Sequence, residues 1–381
     1  MRFSKAIIAC FIIILIFSFY HVTYADNYFK SARGKVIQIL NYDQNTRQTD
    51  EKKNLYESYL VEVKILDGQY SGEVVNAEYT INTGYIEKKE AILFNPGDEV
   101  LIYLEDTYDG KIVNAYISGP VRDKYLLYLV GVFVFFLLVI GRFKGLKAII
   151  TLGITCLLVI KVFIPLIIKG YDPIVLSVGI CALITVISLL IIGGFNKKTG
   201  AAIIGTIGGV IIAGIITQLI GRLANLTGLG NEEAQMLMSI PQSTNMDFRG
   251  LLFSGIIIGA LGAVMDVGMS ISSAMNEIEE TSPTIRRTTL IGAGMNIGRD
   301  VMATMSNTLI LAYAGSSLHM ILLLVMHDIS FVEIINSDMI ACEVVRSLAG
   351  SIGLIFTIPI TAITAGILSC QKKKKKKIGR Y

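Results

Sequence analysis

"GAGMNIGRDVMATMSNTLILAYAG", Gly292 to Gly315, decides how this chain folds. Small and apolar residues dominate it, as in a membrane helix. Yet Arg299 and Asp300 stand side by side within it. Charges in hydrocarbon are costly, and where they occur they face a bundle interior or a watery path. Two readings are open. Either the stretch is one membrane helix with both charges near mid-depth, or Thr288–Gly298 is interfacial and the span begins at Val301. In the second reading Arg299 and Asp300 are a boundary pair.

The preceding block, "GAVMDVGMSISSAMNEIEE" from Gly262, bears on the choice. Shifted by thirty residues, Gly262, Ala263, Met265, Gly268 and Met275 fall on Gly292, Ala293, Met295, Gly298 and Met305. Asp266 falls on Asn296. Gly, Ala and Met are common in membrane helices, so chance similarity competes with a true repeat. A true repeat would run in opposite directions through the membrane, and inverted repeats with broken helices build sites near the bilayer midplane. Gly292, Gly294 and Gly298 would permit such a break, because glycine adopts non-helical angles cheaply.

The polar residues of both blocks follow helical spacing. Asp266, Ser270, Ser273 and Glu277 form one face, and Asp300, Thr304 and Asn307 form another. At the helical rise, Arg299 lies about 18 Å from Arg287, near the middle of a span. Neighbours on a helix point about 100° apart, so Arg299 and Asp300 are poor partners for each other. The expectation is that Arg299 pairs with Asp266, leaving Asp300 to line a cavity. The candidate pathway is Asp266, Ser270, Ser273, Asn296, Arg299, Asp300, Thr304 and Asn307. Glu277, Glu279 and Glu280 read as a solvated helix end.

Working outward, the 381 residues are 53% hydrophobic and 17% charged, and the mean hydropathy is +0.61. Apolar blocks near 20 residues mark a polytopic membrane protein. Expected spans are Leu126–Ile140, Ala148–Ile168, Ile174–Gly194, Ala201–Ile220, Gly250–Ser270, one within Thr288–Ser316, and Leu348–Ser369. Lys161 should snorkel to the outer surface. Gly205, Gly208, Gly209 and Gly214 should let helices approach closely. His319–Met326 is too short for a span and reads as re-entrant, interfacial or an extension of the sixth. Ser330–Val345 then reads as an outer, partly amphipathic helix.

About seven spans put "GRFKGLK", "NKK", Arg286–Arg287 and the terminal lysine run on one side, as the positive-inside rule requires. Residues 1–25 read as a signal peptide or signal anchor. Residues 26–120 alternate apolar and polar in about five short runs, separated by turns such as "LDGQYSG", "NPGD" and "YDG". They read as a small extracytoplasmic all-β domain, OB-like, with an open sandwich as the alternative. Residues 121–370 form the transmembrane helical domain, and 371–381 a basic cytoplasmic tail.

The expected partners are the lipid bilayer, a small solute or ion, and an envelope partner for the β domain. The net charge of +4 sits largely in the lysine tail, which lacks the aromatics that stack on bases, so nucleic acid is not expected. The five cysteines form no C-x-x-C pair, and none lies in the β region. With three scattered histidines, no metal or other cofactor is expected. Met265, Met269, Met302 and Met305 would suit a soft metal but read first as packing. No hydrolase, zinc-protease or P-loop motif occurs, and no enzyme is expected.

"GGFNKKTGAAIIGTIGG", "DFRGLLFSGIIIGALGAVMDVGMSISSAMNEI" and "GMNIGRDVMATMSNTLILAYAGSSL" together resemble the YibE/YibF family of bacterial membrane proteins. The resemblance covers roughly Tyr125 to Ser369, with the β region matching the longer YibE type more loosely. It implies a polytopic protein of the bacterial cytoplasmic membrane with a transport role. Two functions follow for the chain. It is a permease whose pathway runs through residues 262–307, or a non-transporting scaffold whose β domain binds an envelope partner.

Overall fold

The computed structural model describes residues 29–43, 56–82, 94–106, 112–240, 246–327 and 329–369. The signal region, the polar loop 44–55 and the tail 371–381 lie outside them. The chain divides into two compact units, Met1–Phe136 and Leu137–Tyr381.

In the first unit the period-2 segments become five strands. These are β1 (Phe29–Asp43), β2 (Tyr56–Ile65), β3 (Val74–Asn82), β4 (Glu99–Asp106) and β5 (Ile112–Pro120). They close into a barrel in the order β1-β2-β3-β5-β4, with only β3 and β5 parallel. Alternation along each strand turns one set of side chains inward. Val36, Val63, Ile65, Ala77, Val100 and Ile102 fill the centre. The "NPGD" turn forms as read. Asp98 N–H donates to Asn95 O at 3.0 Å, and Gly97 takes φ 101°, which only glycine adopts without strain. At the barrel's end, Arg33 pairs with Asp123, and Lys124 Nζ lies 2.6 Å from Glu99 Oε1.

Helix α1 (Asp123–Leu158) runs through a π-helical turn (Val159–Phe163) into α2 (Ile164–Ile168). Lys161 is exposed in that turn. The two spans expected here share one continuous apolar stretch of 46 residues. Within it Arg142 has φ 46° and ψ −125°, well outside helical values. A methyl added to Gly145 would collide with the Leu137 carbonyl oxygen. In a straight helix residues eight apart are separated by about 12 Å along the axis. The axis therefore breaks sharply at Arg142, inside the predicted "GRFKGLK" junction.

The remaining helices are α3 (Pro173–Gly193), α4 (Lys197–Leu223), α5 (Glu232–Met238), α6 (Phe248–Thr281), α7 (Arg287–Ser316), α8 (Leu318–Met326), α9 (Phe331–Asn336) and α10 (Asp338–Leu368). Their starts carry side-chain caps: Asp172, Asn196, Asp247 and Ser337 each accept a backbone N–H of the first turn. Among the described residues five stretches are long and apolar enough to cross a membrane, or six if α7 and α8 form one bent span. Seven were expected. The count falls because Asp123–Ile168 is one stretch, and because α8 leaves α7 at 59°.

The core of the second unit is α4, α6 and α10, with α3 and α7 packed around it. Small residues set the α4–α10 contact. Ala201, Gly205, Gly209 and Ala213 recur every fourth residue along α4, facing Gly353, Thr357 and Thr361 of α10. A methyl on Gly209 would lie 2.7 Å from Gly353 O, and one on Gly353 2.8 Å from Gly209 O. This is the close backbone approach that small-xxx-small stripes allow. Gly208 meets Ile360, and Gly214 meets Ile257 of α6.

The last span begins earlier than expected, at Asp338 rather than Leu348. Its charges did not stop the helix because each has a partner. Asp338 accepts from Thr227 Oγ1 at 2.6 Å, and Arg346 donates to Glu343 Oε1 at 2.6 Å. The outer segment expected over Ser330–Val345 thus splits into α9 and the first two turns of α10.

Candidate functional site

All eight candidate residues lie on α6 and α7, which run antiparallel. A methyl on Gly259 would meet the Tyr313 hydroxyl at 2.6 Å, while Gly294 packs on Met275 and Gly298 on Ile271. The two blocks that align in sequence are thus placed in opposite directions. Equivalent positions also share their environments. Gly262 and Gly292 are open, Gly268 and Gly298 are buried, and Asp266, Asn296, Ser270 and Asp300 are exposed.

The expected helix break does not occur. α7 is continuous from Arg287 to Ser316. Its glycines serve contact instead: a side chain at Gly294 would strike Met275, and one at Gly298 would strike Ile358 of α10. Glycine's permissive backbone and its missing Cβ come from the same absent atom, and here only the second is used.

The contacts also fix the depth of Arg299 and Asp300. Gly298 lies level with Ile358 of α10, and its neighbour Thr357 lies level with Gly209 of α4. Gly209 is about 18 Å from Lys197 at one end of α4 and about 21 Å from Leu223 at the other. The charged pair therefore lies level with the middle of α4, and α7 runs through it as one continuous helix.

The expected Arg299–Asp266 pair is absent. Arg299 instead donates to Asn296 Oδ1 on its own helix, at 3.0 Å. Among the described residues no ion pair joins Arg299, Asp266 or Asp300 to any charge. Thr304 and Thr308 bond back to the carbonyls of Val301 and Thr304 at 3.0 and 2.9 Å. Asn296, Arg299, Asp300, Thr304 and Asn307 are all exposed, as are Asp266 and Ser270, while Ser273 is half-buried. The polar face of α7 thus points away from its own bundle. It extends about 17 Å from Asn296 to Asn307.

A second charged cluster escaped the sequence reading. Glu343 and Arg346 of α10 pair, and the Arg346 guanidinium lies 5.9 Å from the centre of the Tyr313 ring of α7. Glu343 Oε2 is buried without a hydrogen-bond partner. The signal was present in "ACEVVRS": an acidic and a basic residue three apart, just before an apolar run, pair on a helix.

Toward the helix ends, Lys197, Lys198, Ser272, Asn276, Glu279 and Ser369 surround a shallow depression between α4, α6 and α10. Asn276 donates to Glu280 at 2.8 Å, in keeping with a solvated helix end. Among the described residues no three His, Cys, Asp or Glu side chains cluster to hold a metal ion. Met302 and Met305 pack against the apolar core.

A family model described as "YibE/F-like protein" matches residues 129–371. No curated protein and no solved structure gives a significant match.

Proposed function

The chain belongs to the YibE/F-like family, and from that premise we propose that it is a multi-pass membrane permease for a small solute or ion. One observation carries the reading. Asp266, Ser270, Ser273, Asn296, Arg299, Asp300, Thr304 and Asn307 line two antiparallel helices, and the two charges on α7 lie near mid-depth. Ionisable residues there mark pathways far more often than packing. The break at Arg142 supports two crossings within Asp123–Ile168. Together with the bent α7–α8 span this gives seven. The lysines at 144, 147, 197 and 198 then share the cytoplasmic side of a bacterial membrane with the basic tail, and the barrel lies outside. The chemistry proposed is passage, not catalysis.

The test is ion flux. Liposomes containing the full chain and an internal pH dye are given proton, sodium or potassium gradients. The native chain should pass at least one of these ions faster than empty liposomes. Asp300→Asn and Asp266→Asn should each reduce the flux at least tenfold while eluting at the native size. Flux equal to that of empty liposomes under every gradient would sink the ion form of this reading.

A second reading has its own support. The barrel is closed and of the strand number found in oligonucleotide/oligosaccharide-binding folds. Beside it Phe94, Gly97, Glu99, Pro120, Lys124 and Tyr125 border a cavity of ≈ 360 Å³. If the barrel binds an envelope partner, deleting Ala32–Gly119 abolishes function while Asp266→Asn and Asp300→Asn are tolerated.

A further inference from the structure

From the exposed polar face of α7 we infer that two copies of this chain associate in the membrane through that face. The contact places Arg299 of each copy against the partner's Asp300. The inference rests on the membrane placement proposed above, but not on transport.

Asn296, Arg299, Asp300, Ala303, Thr304 and Asn307 form one continuous exposed strip. It lies near mid-depth, where lipid tails are the default neighbour. Arg299 keeps only the hydrogen bond to Asn296, and Asp300 has no ion-pair partner among the described residues. A lone charge facing hydrocarbon costs several kcal/mol, so the strip needs a polar cover. Among the described residues the rest of the bundle does not supply one, because α7 packs on α6 and α10 through its opposite side, at Gly294, Gly298 and Leu309.

The strip is complementary to itself. Copies inserted in the same orientation are related by a two-fold axis along the membrane normal, and their α7 helices then run parallel. Residues 299 and 300 differ in height by about 1.5 Å. Arg299 of one copy and the partner's Asp300 therefore meet at one level, and symmetry makes the pair twice. Above and below them Asn296 and Asn307 each meet their own counterpart. An amide carries both donor and acceptor, so it can bond to itself across the axis. Such amide contacts drive helix association in membranes. Ala303, between them, is small enough to let the backbones approach. An unrelated partner would have to supply this order of charges and amides independently, whereas a second copy carries it already.

The test uses the full chain in native membranes, with its own cysteines replaced by serine. Ala303→Cys and Asn307→Cys should each give a disulfide-linked species of twice the mass on oxidation before solubilisation. Ile211→Cys and Ile215→Cys, on the exposed apolar side of α4, should not. Arg299→Asp alone and Asp300→Arg alone should each weaken dimerisation at least tenfold, and both together should restore it. Ala303→Leu adds bulk only at an exposed position, so it should leave the fold intact and shift the population to monomer. Dimer fraction is read by single-molecule photobleaching, independently of flux. A monomeric native chain, or crosslinking at 303 and 307 no greater than at 211 and 215, overturns the inference and leaves the strip to water or another protein. A dimer whose carboxylate variants keep native flux upholds the inference and removes the permease reading.

Discussion

Gly292 and Gly298 sit six residues apart on α7 and have opposite surroundings. Nothing lies within 4 Å of a methyl on Gly292, while one on Gly298 would strike Ile358. Gly292→Ala should therefore be neutral or stabilise by up to about 1 kcal/mol, through helix propensity. Gly298→Ala should destabilise by roughly 1–3 kcal/mol, because α7 must move off α10. Thermal unfolding in detergent compares the two. In sequence both glycines would equally permit a break. Sequence alone cannot separate their roles, because contact with α10 depends on a segment sixty residues away. The same holds for Arg299. Its place on the helix was legible from spacing to Arg287, but its partner was not, since spacing along one helix says nothing about which way that helix is turned.

At the scale of elements, helix starts were legible to within four residues where a sharp change from polar to apolar sequence marks them, as after Asp172, Asn196 and Asp247. They were misread where charge was taken as a sign of solvent. α10 begins ten residues before the expected span because Asp338, Glu343 and Arg346 are partnered. Asp338 also accepts from the Thr227 backbone N–H, at 3.3 Å, so it ties the loop after α4 to the start of α10. Asp338→Ala should destabilise the fold by about 1.5–3 kcal/mol, the range for hydrogen bonds to a charged group. Hydrogen exchange should then rise first at residues 227–230. Glu343→Gln should be milder, because the Arg346 contact can persist to a neutral amide oxygen. Arg142→Gly should be tolerated or slightly stabilising, since φ 46° is strained for arginine and ordinary for glycine. Arg142→Pro should fail, because proline fixes φ near −65°.

For the whole molecule, the β unit was legible nearly strand by strand, since period-2 alternation and "NPGD"-type turns are local signals. The helical unit was legible in its blocks but not in its packing. Span count turned on the 59° bend between α7 and α8, which carries little sequence signature, whereas the break at Arg142 falls in the polar "GRFKGLK" junction. Sidedness gives the matching prediction. Single cysteines at Lys144 and Lys198 should react with an impermeant maleimide only in inverted vesicles, and one at Ser71 only in intact cells. Labelling of positions 144 and 198 from opposite sides would rule out two crossings within Asp123–Ile168.

The seam where Gly209 and Gly353 bring backbone against backbone has a mechanical consequence. Side chains can change rotamer to let two helices slide, but main chain cannot, so α4 and α10 behave as a single stiff beam. If the chain moves as the proposed permease requires, the pivot lies elsewhere. One joint among the described residues is the 59° elbow between α7 and α8, whose α8 arm buries no residue. Locking that elbow should arrest motion without touching a charge, while stiffening the seam further should change nothing.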